Sequence, residues 1–87
     1  MSRSDWSKVA EKWHDPLRRV IAKYRNAELS TDEIRFVSES IPEVGNNAQF
    51  IQPPDHCLNI TNQGACSCAM TERALFVQVR RGLYLVR

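Results

Sequence analysis

The side chains of this chain best suited to chemistry are its cysteines and histidines, and most of them lie in one short stretch: His56, Cys57, Cys66 and Cys68. Imidazole nitrogen and thiolate sulfur are the usual ligands of tetrahedral zinc. These four therefore form a candidate zinc set, one that would staple their segment to the strand after it. Two features count against it. Paired zinc cysteines are usually about two to four residues apart, whereas Cys66-Ser67-Cys68 leaves a single residue between them. Cys57 also falls on the apolar side of the helix expected there, where a thiol acts as a small hydrophobe. The expectation is no cofactor and no metal, with zinc on His56, Cys57, Cys66 and Cys68 as the alternative. Nucleophilic catalysis is served no better. Asp55, His56 and Cys57 are adjacent, and neighbours on a helix point about 100° apart, so they make no base–nucleophile pair. His14 sits beside Asp15 with no partner visible. No catalytic residue is expected, and the chain does not read as an enzyme.

Binding chemistry is better represented. A helix expected over 54–63 carries His56, Asn59, Thr61, Asn62 and Gln63, side chains able to hydrogen-bond to base edges in a major groove. Arg80-Arg81-Gly82 lies between two short alternating apolar runs and reads as a hairpin tip whose arginines reach phosphates. The plainer readings are a short capped surface helix and a solvated turn.

The elements that must position these groups follow from periodicity and caps. Trp6, Val9, Trp13, Leu17, Val20, Ile21 and Tyr24 recur at helical spacing. Asp15-Pro16 reads as a cap followed by a first-turn proline, which predicts helices near 4–14 and 15–26; one kinked helix is the alternative. Ser30-Thr31-Asp32-Glu33 is a capping box with Leu29 and Ile34 at staple positions, starting a helix that runs to about Ser40 and buries Ile34, Val37 and Ile41. Pro54 starts the helix over 54–63 and Gly64 ends it. Strands follow near 74–79 and 83–87. Three or four helices before a hairpin is the order of a winged helix, an α+β fold, here a single domain over 1–87 with 1–14 as an extra N-terminal helix.

The charge is uneven although the net value is only +2. Residues 1–29 carry seven Lys/Arg against four Asp/Glu, 30–63 one against five, and 64–87 four against one. Basic ends around an acidic middle suit a protein that turns selected faces to a polyanion. No run approaches the roughly 18 apolar residues of a membrane span, and the charged start lacks the apolar core of a secretory signal, so a cytoplasmic location is expected. With that start, an odd number of cysteines argues against a disulfide framework.

Pro53-Pro54-Asp55-His56-Cys57-Leu58-Asn59-Ile60-Thr61-Asn62-Gln63-Gly64, with Leu75-Phe76 and Arg81-Gly82-Leu83-Tyr84-Leu85 after it, resembles the winged-helix domains attached to bacterial restriction endonucleases and related defence proteins. The resemblance covers roughly the last 40 residues. Cys66-Ser67-Cys68 departs from that pattern. The resemblance implies DNA binding and, by analogy, a role in restriction or defence. The expected function is therefore non-catalytic binding of duplex DNA, with the third helix in the major groove and the wing at 80–82 on the backbone. A protein-docking module without DNA binding is the alternative. A homodimer or a larger parent protein is left open as a partner, and no membrane is expected.

Overall fold

The computed structural model describes residues 3–87 as an α+β chain. Helix α1 spans Arg3–Ile21, strand β1 Glu28–Ser30, helix α2 Thr31–Ser38, strand β2 Phe76–Arg80 and strand β3 Leu83–Val86. Short 3-10 turns cover Ala22–Tyr24, Gly45–Phe50 and Pro53–His56. The strands form an antiparallel sheet in the order β1-β3-β2. Among the described residues no helix is long and apolar enough to cross a membrane.

Where two helices are expected over 4–14 and 15–26, the structure has α1 alone, with Pro16 inside it. The proline gives up a hydrogen bond to the carbonyl four residues back. The buried stripe of Ala10, Trp13, Leu17 and Ile21 runs unbroken past it, and Pro16 is itself buried on that side. Continuous burial outweighs the local stop signal. Residues 1 and 2 of the expected N-terminal helix lie outside the described residues.

The capping box forms as expected. The Glu33 amide donates to Ser30 Oγ at 3.1 Å, and the Ser30 amide donates to Glu33 Oε1 at 2.9 Å. Leu29 and Ile34 are buried on either side of the cap. Glu28–Ser30, not anticipated as a strand, pairs with β3 and makes it the central strand. The β2–β3 hairpin stands close to its expected place. Its turn residue Gly82 has φ +80°, a conformation that favours glycine, and its carbonyl accepts from the Thr31 amide at 3.2 Å. The tip is thus tied to the start of α2. The core gathers Leu17, Ile21, Ile34, Ile51, Phe76, Tyr84 and Val86 beneath the sheet.

The expected helix over 54–63 is absent. A single 3-10 turn, Pro53–His56, gives way to extended backbone at Cys57, which bridges in parallel to Phe76. The Leu58 amide donates to the Phe76 carbonyl at 2.8 Å. The Asn59 side chain does the same job one step on, accepting from the Gln78 amide at 2.8 Å and donating to the Gln78 carbonyl at 2.9 Å. Backbone groups at the sheet edge need partners, and this segment supplies them by lying alongside β2 instead of coiling.

Candidate functional site

Four buried side chains from three parts of the chain converge beside α1: His14, His56, Cys66 and Cys68. One ligand atom from each lies within 4.8 Å of all the others. His14 Nδ1 is 3.7 Å from Cys66 Sγ, and His56 Nδ1 is 3.4 Å from Cys68 Sγ. The two imidazole rings tilt at 50° with centroids 5.6 Å apart. The exposure of these four residues is 3% or less.

Each reaches the site for a local reason. His14 occupies the buried stripe of α1, one turn from both Ala10 and Leu17. Pro53 and Pro54 hold the 3-10 turn that delivers His56. Cys66 and Cys68 enter on a tight turn fixed at several points. The Cys66 amide donates to the Asp55 carbonyl at 3.1 Å, Ala69 to the Cys66 carbonyl at 3.0 Å, and Met70 to the Cys57 carbonyl at 2.7 Å. Met70 carries φ +66° at the end of this turn, a conformation that costs a non-glycine residue about 1–3 kcal/mol. The Ser67 amide, between the two cysteines, donates to the Glu11 carboxylate on α1. That contact holds Glu11 below the usual carboxylate range.

Burial governs the titration of the cluster. It depresses His56 to about 4, with His14 adding to the effect, and depresses His14, where Arg73 adds to it. Burial raises Cys66, and lifts Cys68 to about 12. With no cation present, the site therefore holds neutral imidazoles and protonated thiols. A cation would reverse the preference at sulfur, because thiolate is the ligand form. Two nitrogens and two sulfurs at this spacing form a group that could hold a metal ion.

This group differs from the set expected from sequence. His14 takes the place given to Cys57. The Cys57 thiol packs in the main core and is pushed to about 12 by burial, then by Asp55. The signal for His14 was present as a histidine on the apolar stripe, but its partners are too distant in sequence for spacing to reveal.

The residues expected to touch DNA scatter. His56 is buried in the cluster, and both hydrogen-bonding ends of the Asn59 amide are committed to Gln78. Thr61, Asn62 and Gln63 are exposed on a loop, not on a helix. Asp55, raised to about 6 by burial, is drawn back by Asn62. Arg80 and Arg81 are exposed at the hairpin tip, as expected.

A basic groove was not anticipated. Arg18 and Arg25 from the end of α1 and just beyond it, with Arg73 and Arg87, line a depression that has Val77 and Leu85 in its wall. Val77 and Leu85 are cross-strand partners on the sheet face turned away from the core. Among the described residues Glu72 is the one acid in the lining. The Arg87 guanidinium donates to the Glu72 and Ala74 carbonyls, both at 3.1 Å. Among the described residues the one ion pair is Arg19–Glu43, at 3.3 Å, and it lies outside this groove. No family model matches the sequence, and no curated protein or solved structure matches it.

Proposed function

We propose that the chain is a non-catalytic, winged-helix-like domain that binds the backbone of duplex DNA. The observation that carries this reading is the groove of Arg18, Arg25, Arg73 and Arg87, four cations with one acid among them. Guanidinium groups that share one groove and, among the described residues, have no carboxylate partner are suited to phosphates, which they bind in a bidentate manner. The element order supports the fold half of the reading: helix, strand, helix and a terminal hairpin, with β1 added beside β3. Arg80 and Arg81 sit three to four residues along the hairpin from Val77, roughly 10–13 Å at the usual strand rise. They add two exposed cations at the hairpin tip. Thr61, Asn62 and Gln63 remain exposed for base-edge contact, whereas Asn59 is a structural residue in this reading. The two histidines and the Cys66 and Cys68 thiols are closed to substrate by their burial, which supports a binding role over catalysis. A place in restriction or defence rests on the sequence resemblance alone.

The test is duplex binding followed by fluorescence anisotropy across a salt series. Log affinity should fall linearly with log salt. Replacing Arg18, Arg25 and Arg73 with alanine should flatten the slope by about 0.9 for each phosphate that is no longer neutralised. Asn59→Ala should leave the slope unchanged. The absence of salt-dependent affinity for any duplex, cytosine-modified DNA included, sinks the reading. A docking module would then take its place, favoured by exposed aromatics: Phe36 at 74%, and Trp6 against Phe50 with ring centroids 6.2 Å apart.

A further inference from the structure

The geometry points to a structural zinc centre in which His14, His56, Cys66 and Cys68 supply all four ligands of one Zn2+. The inference is independent of nucleic-acid binding: a chain that holds zinc and ignores DNA would sink one reading and leave the other.

The His14–Cys66 and His56–Cys68 distances are those of neighbouring ligands in a zinc tetrahedron. Ligand bonds of about 2.3 Å to sulfur and about 2.0–2.1 Å to nitrogen place neighbouring S and N atoms about 3.6 Å apart in a regular tetrahedron. The two S···N contacts are 3.4 and 3.7 Å. The remaining separations, at most 4.8 Å, must draw in by roughly 1 Å to reach tetrahedral values. The donor set fits the ion, since two sulfurs and two nitrogens in tetrahedral array select zinc among divalent metals. Charge fits as well. Two thiolates and two neutral imidazoles around Zn2+ sum to zero, the state a site of 3% exposure or less tolerates best. With four protein ligands and no face open to solvent, the ion is structural and does not activate water.

The surroundings also fit. The segment from Cys57 to Leu75 has neither helix nor strand, a long stretch for a compact chain. It contributes few groups to the main core, and the apolar cluster that holds Cys66 and Cys68 adds only Ala10 to them, apart from the main core. A metal ion held by residues from α1, the Pro53–His56 turn and the Cys66–Cys68 turn would cross-link such a loop to the helix. The single residue between the cysteines is accommodated because the turn at 66–69 and the Glu11–Ser67 contact present both sulfurs to one side. Without metal, the imidazole–thiol contacts at 3.4 and 3.7 Å are weak sulfur hydrogen bonds, and Cys66 also lies against the Glu11 carboxylate.

The test uses the whole chain, purified under reducing conditions without added chelator. Elemental analysis should find about one zinc per chain. Cobalt(II) added to chelator-treated protein should give the intense visible bands of tetrahedral coordination and a thiolate-to-cobalt charge-transfer band, saturating at one equivalent. Excess zinc should bleach both. Cys57→Ala should keep the full spectrum, whereas Cys66→Ser should lose charge-transfer intensity. A ligand variant can simply fail to fold, so the wild-type cobalt spectrum and the Cys57→Ala control carry the decision. Less than half an equivalent of zinc, a stoichiometric metal other than zinc, a pale octahedral cobalt spectrum, or a Cys66–Cys68 disulfide in the native chain would each overturn the assignment.

Discussion

The sheet with α2 and the loop from Pro53 to Leu75 are held by different means. Strands β1 to β3 and α2 bury Leu29, Ile34, Phe76, Tyr84 and Val86 against α1, and the ladder bonds and the capping box satisfy their backbone and ends. Between Cys57 and Leu75 the chain has no regular element. It is tied down by single bonds, such as Cys66 to Asp55 and Leu75 to His56, the latter at 2.7 Å, and by the histidine–cysteine cluster. Apolar burial spreads its free energy over many neighbours, so any one of them can weaken without losing the fold. A cluster of four ligands concentrates it, so one missing ligand should release the whole segment.

The largest effect should come from the cluster. Structural zinc contributes about 10–16 kcal/mol in zinc-finger peptides, comparable with the entire stability of a small domain. A strong chelator, or Cys66→Ser with Cys68→Ser, should therefore free the loop and lower the midpoint of the thermal transition drastically. Readdition of zinc should restore the wild-type chain but not the variant; circular dichroism during heating reads both. Next comes the core. Phe76→Ala, at a fully buried position, should cost about 3–5 kcal/mol in denaturant titration. Zinc content of the folded fraction should not change, which would separate the two regions cleanly.

Smaller effects sharpen the contrast at its edges. Asn59→Ala strips the partner from both backbone groups of Gln78 where the loop meets the sheet, and should cost about 1–3 kcal/mol. A loss of DNA affinity with no loss of stability would instead return Asn59 to a base-reading role. Ser30→Ala removes the cap of α2 and should cost about 1 kcal/mol, leaving the loop untouched. Equal destabilisation of both regions by Ser30→Ala would show that they unfold as one.

The same division decides what sequence reveals. Around α2 the signals are local. Ser30 and Glu33 are three residues apart and satisfy each other, and Arg80-Arg81-Gly82 makes its own turn, so both features stand where periodicity and turn chemistry put them. In the loop the deciding contacts are distant. Asn59 turns from helix to sheet partner because Gln78 offers an unpaired amide and carbonyl. His14 meets Cys66 across a long stretch of chain, so spacing alone selects the nearer Cys57. Pro16 misleads for a related reason: it signals a helix start locally, but the stripe of Trp13, Leu17 and Ile21 buries as one surface. The basic groove is assembled by folding, from arginines near residue 20 and at the C-terminal end.

Region-resolved amide hydrogen exchange, with and without a chelator, tests the metal-held loop most directly. On metal removal the amides of Cys66, Met70 and Leu75, bonded to Asp55, Cys57 and His56, should lose protection by a larger factor than those of the β2–β3 ladder. Protection that is unchanged at Cys66 and Met70 after complete chelation would contradict a metal-held loop.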